Sequence, residues 1–270
     1  MRPTIFTGFS LKSDIIGLYS THIVYISKRS LKTMETNRMQ ASQTRTREID
    51  EGLRQHMNNI YAKMTAGVLV TALTAWVVGS SSFLLNLFLG GPQAYLVMFA
   101  PLAIIWFGFR PDRMKASQLM MAFFGVAVVY GISFASIAVM VSADPSFGVA
   151  VAKAFFIATS MFAGLSILGY TTKKDLSGMQ TFLTMGILGL VAASVMNIFF
   201  QNSMMQNVIA GVGIVLFSGL TVWQTQNMKE MYSPNTPAEF AARMAWAAAL
   251  NLYISFIVMF QYVLHFMSQR

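Results

Sequence analysis

The chain has 270 residues, 55% of them hydrophobic and only 11% charged; soluble domains carry about 25% charged residues, so an ordinary water-soluble enzyme is excluded. Its net charge of +9 would suggest nucleic acid in a soluble protein, but the basic residues fall in gaps between long apolar stretches. Anionic lipid, and not nucleic acid, is therefore the expected counterpart. The absence of cysteine excludes disulfides, thiolate catalysis and cysteine-ligated metal.

Residues 1–59 read as a basic, partly disordered cytoplasmic segment. Within 1–33, Arg2, Lys12, Lys28, Arg29 and Lys32 face a single acid, Asp14. The apolar run Ile15–Ile26 is too short to span a bilayer and is interrupted by Ser20, Thr21 and His22. The preferred reading is that translation begins at Met34 and that residues 1–33 are dispensable. The alternative, an organelle transit peptide, would place the protein in the mitochondrial inner membrane. From Ile49 the pattern changes: Ile49, Leu53, Met57, Ile60 and Met64 recur at helical spacing. They predict an amphipathic lead-in helix on the cytoplasmic surface that runs into the first span.

Residues 60–268 form one membrane domain, with spans predicted near 60–80, 93–109, 118–141, 148–169, 180–200, 207–227 and 244–267. Gly90-Gly91-Pro92, Pro111, Asp144-Pro145 and Ser233-Pro234 all fall between them, as turn residues should. Ten of the 19 Lys and Arg lie at or before Lys63. Arg110, Arg113 and Lys115 follow span two, Lys173 and Lys174 follow span four, and Lys229 and Arg243 follow span six. Basic residues in every second gap place the N-terminus in the cytoplasm and the C-terminus outside. The fold class is all-α, a seven-transmembrane helix bundle. Small residues such as Gly125, Gly131, Ala163, Gly164, Gly186, Gly189, Gly211 and Gly213 allow close helix approach. The last span opens Ala245-Trp246-Ala247-Ala248-Ala249, a small face suited to a helix at the centre of the bundle.

Candidate chemistry is sparse. None of the ten acids lies in a predicted span. Lys153 is the one basic residue just inside a span beyond the first, and a pair with Asp144 at the outer side is the role open to it; snorkelling to the interface is the simpler alternative. His22, His56 and His265 lie near or outside span ends, which removes a bis-histidine haem and a multi-histidine zinc hydrolase. The 21 methionines scatter without shared spacing, as packing residues do, and do not form a copper ladder. No cofactor and no metal are expected, and no catalytic residue is assigned. What remains are neutral polar residues on the last two spans: Gln224, Thr225 and Asn227 on the sixth, and Asn251, Ser255 and Tyr262 on one face of the seventh. They serve either as interhelical hydrogen-bonding groups or as a polar permeation or gating point.

At these residues the chain resembles the Bax inhibitor-1 family, in its bacterial YccA-like branch. The likeness covers about residues 49 to 267. Its most specific stretch is Ala163-Gly164-Leu165-Ser166 followed by Gly169-Tyr170-Thr171-Thr172-Lys173-Lys174-Asp175-Leu176-Ser177-Gly178. Ile49-Asp50-Glu51-Gly52-Leu53-Arg54, Arg113-Met114, Gly219-Leu220-Thr221, Thr225-Gln226, Lys229-Glu230-Met231-Tyr232 and Ala249-Leu250-Asn251-Leu252-Tyr253 are similar too. The resemblance implies seven spans around a central last helix, in a stress-related protein of the bacterial inner membrane. It further implies either a pH-sensitive calcium leak or a regulator of a membrane-bound AAA protease.

The family's leak is associated with two aspartates that share a proton, one on each of the last two spans. By motif they should stand at Gln224 and Ser255, and both carboxylates are missing here. An amide and a hydroxyl do not titrate and offer calcium only weak neutral oxygens. The expectation is a non-enzymatic membrane protein with a degenerate calcium leak lacking the pH sensor. The alternative is a regulatory partner-binding protein without transport. The candidate gate residues are Gln224, Thr225, Asn251 and Ser255.

Overall fold

The computed structural model describes residues 51–269, and these fold into helices joined by short turns. The readings made for residues 1–50, including the Met34 start and the transit peptide, lie outside the described residues. Chain order runs α1 (Glu51–Gly79), then α2 (Ser82–Leu89), α3 (Gln93–Ala103), α4 (Ala116–Ser133), α5 (Ala135–Ala143), α6 (Pro145–Thr171), α7 (Met179–Phe200), α8 (Ser203–Glu230) and α9 (Ala238–Ser268). Six helical stretches are long and apolar enough to cross a membrane, with α4 and α5 counted as one; the bent pair α2–α3 reaches that length only when its two helices are joined, which gives six to seven candidate spans.

The second span departs from a straight rod. A separate helix, α2, precedes it, its start capped by the Ser81 hydroxyl accepting from the Leu84 N–H. The chain then bends by 73° into α3. Pro101 inside α3 has no N–H to donate, and the helix widens directly afterwards into a π-helical turn over Ile104–Gly108. Hydropathy detects apolar length but does not register this bend.

The lead-in helix is continuous with the first span, as expected, but Met57, Ile60 and Met64 are buried in the main core. The stripe at helical spacing therefore packs inward and does not float on the cytoplasmic surface. Elsewhere the turn residues act as read. Asp144 is the N-cap of α6 and Pro145 its first residue, where a missing N–H costs nothing. Asn202 caps α8 by accepting from the Met204 and Met205 N–H groups.

α9 lies at the centre. It packs against α4, α6 and α8, and 61% of its most apolar window is buried, against 39% for the next most buried span, α8. Tyr253, Leu252, Ala249 and Met259 on α9 are wholly enclosed. Where α6 crosses α8, Gly169 lets the backbones touch: a Cβ there would overlap the Val222 carbonyl oxygen. Gly125, Gly164 and Gly189, by contrast, have nothing within 4 Å of where a Cβ would stand, so no close helix approach depends on glycine there, contrary to their expected role. Large apolar side chains such as Trp106, Phe156 and Phe199 cover the outside, as a lipid-facing surface requires.

Candidate functional site

The buried polar side chains gather on the last turns of α8. Thr221, Gln224, Thr225 and Gln226 are all buried. Two of them face α9 and α1. The Ser255 hydroxyl on α9 donates to Gln224 Oε1 at 3.0 Å, a side-chain pair shielded from solvent. Beside it, Thr225 Oγ1 lies 3.4 Å from the Tyr61 hydroxyl on α1, a longer and weaker contact. Three helices thus meet at a neutral polar knot. It lies about 9 Å inside the C-terminal end of α8, counting six residues from Gln224 to Glu230 at 1.5 Å each.

Gln224, Thr225 and Ser255 are brought together, and Asn251 is not. Asn251 is exposed and makes no hydrogen bond to the pair. Four residues move the position about 6 Å along α9 and turn it by about 40°, which carries Asn251 out of the crowded sector that encloses Ser255. Lys153 and Asp144 do not pair either. Lys153 is exposed, and Asp144 uses both carboxylate oxygens on Ser146, at 2.8 Å to its N–H and 2.8 Å to its hydroxyl. Those bonds, the hydroxyl's first, hold the Asp144 carboxyl below its ordinary range. Among the described residues the ion pair is instead Arg113–Asp112, at 3.3 Å on the surface.

Four features escaped the reading of the sequence. Gln226 ties the loop after α6 to α8: its Nε2 donates to the Lys174 carbonyl at 2.7 Å and its Oε1 accepts from the Leu176 N–H at 3.0 Å. Lys229 Nζ reaches the Tyr170 carbonyl at 2.9 Å, and Glu239 accepts from the Ala116 N–H at 2.8 Å. Together these bonds lace the loops of the basic end onto α8 and α9. A second polar contact lies deeper, where the Thr71 hydroxyl meets the Tyr253 hydroxyl at 2.7 Å and the Ala127 carbonyl at 3.0 Å. Gln226 and Tyr253 stand inside motifs already singled out, but nothing in their spacing names a partner 50 or more residues away.

The chemistry open to the knot is limited. An amide and three hydroxyls can hydrogen-bond and line a polar passage, but no carboxylate stands among them. Among the described residues no group of three or more His, Asp or Glu is placed to hold a metal ion.

Comparison with known proteins agrees with this architecture. The family model described as "Inhibitor of apoptosis-promoting Bax1" matches residues 53–270. An uncharacterized protein of Rickettsia prowazekii, RP147, is 32% identical over 228 residues, covering 84% of this chain and 94% of that protein. An uncharacterized protein of Caulobacter vibrioides is 34% identical over 231 residues, with 81% and 90% covered. The inner membrane protein YbhL of Escherichia coli is 29% identical over 224 residues, with 81% and 93% covered. With its helical bundle, its central last helix and a match over almost the whole described region, the chain belongs to the Bax inhibitor-1 family of multi-pass membrane proteins.

Proposed function

We propose that this protein is a non-enzymatic inner-membrane member of its family, oriented with the basic end in the cytoplasm, whose gate is held by a bond that does not titrate. The observation that carries the reading is the 3.0 Å hydrogen bond from Ser255 to Gln224. Where the resemblance implies two carboxylates sharing a proton, an amide and a hydroxyl join α8 to α9 with no charge to lose or gain. Calcium meets only neutral oxygens there, so conduction is weak and independent of pH. The inner membrane is the location that the name of the YbhL relative supports, and the alternation of basic gaps supports the orientation.

A second reading, regulation of a membrane-bound AAA protease or a similar partner, is favoured by the basic end itself. Gln226, Lys229 and Glu239 hold its loops in place through backbone hydrogen bonds, which presents a fixed surface around Lys173 and Lys174. Calcium flux into proteoliposomes at pH 6 and pH 8 tests the first reading. Equal, low flux at both pH values supports it, and steep pH dependence in the unmodified protein overturns it.

A further inference from the structure

At the end of the bundle opposite the basic loops, a cavity of about 690 Å³ opens between α7, α8 and α9, and its wall is rich in polar groups: Asn197, Gln201, Gln206, Gln261, Tyr262 and His265. A second cavity, of about 380 Å³ and walled by α5 and α6, shares Gln261 and His265 with it, so α9 is open on two sides at this level. Its depth follows from α7. The 22 residues of that helix measure about 33 Å, little more than the hydrocarbon core of about 30 Å, so Phe200 marks one boundary of the core. Ser194 and Ile209, which line the cavity, lie six residues inside the adjoining ends of α7 and α8, about 9 Å below that boundary. Gln261 is exposed at the same level. Hydrocarbon against it would leave its amide without a partner, whereas water supplies one, and the cavity is polar and roomy enough to hold water.

The floor of this cavity is aromatic. Tyr262 lays its ring against α8 where Gly213 leaves a notch; a Cβ at 213 would overlap the ring. Phe217, one turn further along α8, faces the same ring at 6.4 Å between centroids. Seven residues separate Tyr262 from Ser255, about two turns and about 10 Å, so both look toward α8 along one seam. At the mouth of the seam His265 meets Asn207 Oδ1 at 2.8 Å. Below it the Tyr262 ring fills the Gly213 notch. At the far end Ser255 donates to Gln224 at 3.0 Å. Between these two polar contacts the ring and the apolar side chains of Phe217 and Val258 close the way.

We propose that this cavity is a water-filled vestibule and that the Tyr262 ring is its floor, the barrier between water at that end and the seam leading to the Gln224–Ser255 knot. Small hydrated solutes reach about 9 Å into the hydrocarbon layer along the amides and stop at the ring. The inference holds whether the knot gates an ion path or only ties α8 to α9, because it concerns where water reaches and not what crosses.

Because the chain contains no cysteine, single cysteines report water one position at a time. The full-length protein in phosphatidylcholine nanodiscs is treated with a charged, membrane-impermeant methanethiosulfonate. Gln261→Cys should react at least about tenfold faster than Val195→Cys, since a thiol facing hydrocarbon stays protonated and out of the reagent's reach; Val195 is exposed beside Ser194 but is not part of the cavity wall. Val258→Cys, one turn below Tyr262 in the same cluster, should be protected. Adding Tyr262→Ala should speed its labelling at least about tenfold, because an enclosed group otherwise waits for local opening. Tyr262→Phe keeps the ring and should keep the protection, and Gly213→Ala, which pushes the ring from its notch, should weaken it. Ala249→Cys, wholly enclosed elsewhere on α9, should stay unreactive in the Tyr262→Ala protein, which separates loss of the floor from loss of the fold. Gln261→Cys reacting no faster than Val195→Cys overturns the vestibule, since lipid or polypeptide then fills the cavity. Val258→Cys reacting equally with and without the Tyr262 ring overturns the floor. None of these outcomes depends on whether the protein conducts calcium.

Discussion

Replacing Gln224 and Ser255 together by aspartate should install a pH response that the natural chain lacks. The two side chains now meet at 3.0 Å. Aspartate is one methylene shorter than glutamine but one carbon longer than serine, so the two changes roughly offset and the new carboxyl groups would lie about 3–4 Å apart, where two unit charges repel by about 4 kcal/mol or more at an effective dielectric of 20. A repulsion of that size corresponds to about three pH units between loss of the first and second protons, so the pair titrates as a unit and not as two independent acids. At pH 6 one shared proton bridges α8 and α9. At pH 8 the charges push the helices apart and attract a divalent cation. Calcium flux into proteoliposomes should therefore rise from pH 6 to pH 8 in the double variant and stay flat in the parent. The sign of stability is opposite: the folded variant binds more protons than its unfolded chain, so its stability falls as pH rises. Gln224→Asp alone leaves a single carboxylate accepting from Ser255, with no shared proton and little change between the two pH values. A parent that leaks with pH dependence, or a folded double variant that does not, would refute the reasoning.

The remaining predictions concern the scaffold. Gly169→Leu forces side-chain atoms against the Val222 backbone and should destabilise the protein by about 1–3 kcal/mol or more, as overpacking does; Gly164→Ala, with open space around it, should be neutral in the same thermal melt in detergent. Gln226→Ala removes two hydrogen bonds to the 172–178 loop, together about 1–3 kcal/mol, and should speed hydrogen exchange and trypsin cleavage at Lys173 and Lys174 without altering α9. At Asp144, the Ser146 hydroxyl and N–H hold the carboxyl below its ordinary range, so its contribution is present above the unfolded value of about 3.9 and disappears as pH falls through the lower folded value. Acid titration of the melting temperature should show that loss in the parent and not in Asp144→Asn, whereas Asp144→Ala should lower the melting temperature at all pH values by removing the cap of α6.

Helix type, the apolar stretches and the placement of most turns were legible in the sequence because each rests on local physics; the breaks that give nine helices among the described residues, where seven spans were expected, were not. Nearly twenty consecutive apolar residues have one stable solution in lipid, an α-helix with its backbone bonds internal. Asp144-Pro145 and Asn202 end and restart helices through bonds that reach two or three residues. The centrality of α9 was legible for a similar reason, since its run of alanines has no side chains to keep neighbours away. Gln224 and Ser255 were identified as a facing pair only through the motif positions they occupy; their contact spans 31 residues, and no periodicity encodes it.

Tertiary structure alone decided the rest. The inward packing of Met57, Ile60 and Met64 depends on which surface the α1 stripe meets, and helical spacing cannot distinguish a core from a membrane interface. Asn251 and Ser255 share a spacing but not an environment, because burial is set by the neighbours around α9 and not by the angle between two of its residues. Asp144 is held by Ser146, two residues away, and leaves Lys153 without it, since a local cap forms without ordering a long lysine side chain. The cavities between α1 and α6, floored by α9, exist only because two helices separated by residues 80–144 stand apart there. Apolar length and charge in the gaps are properties of the chain, whereas gaps between helices belong to their packing.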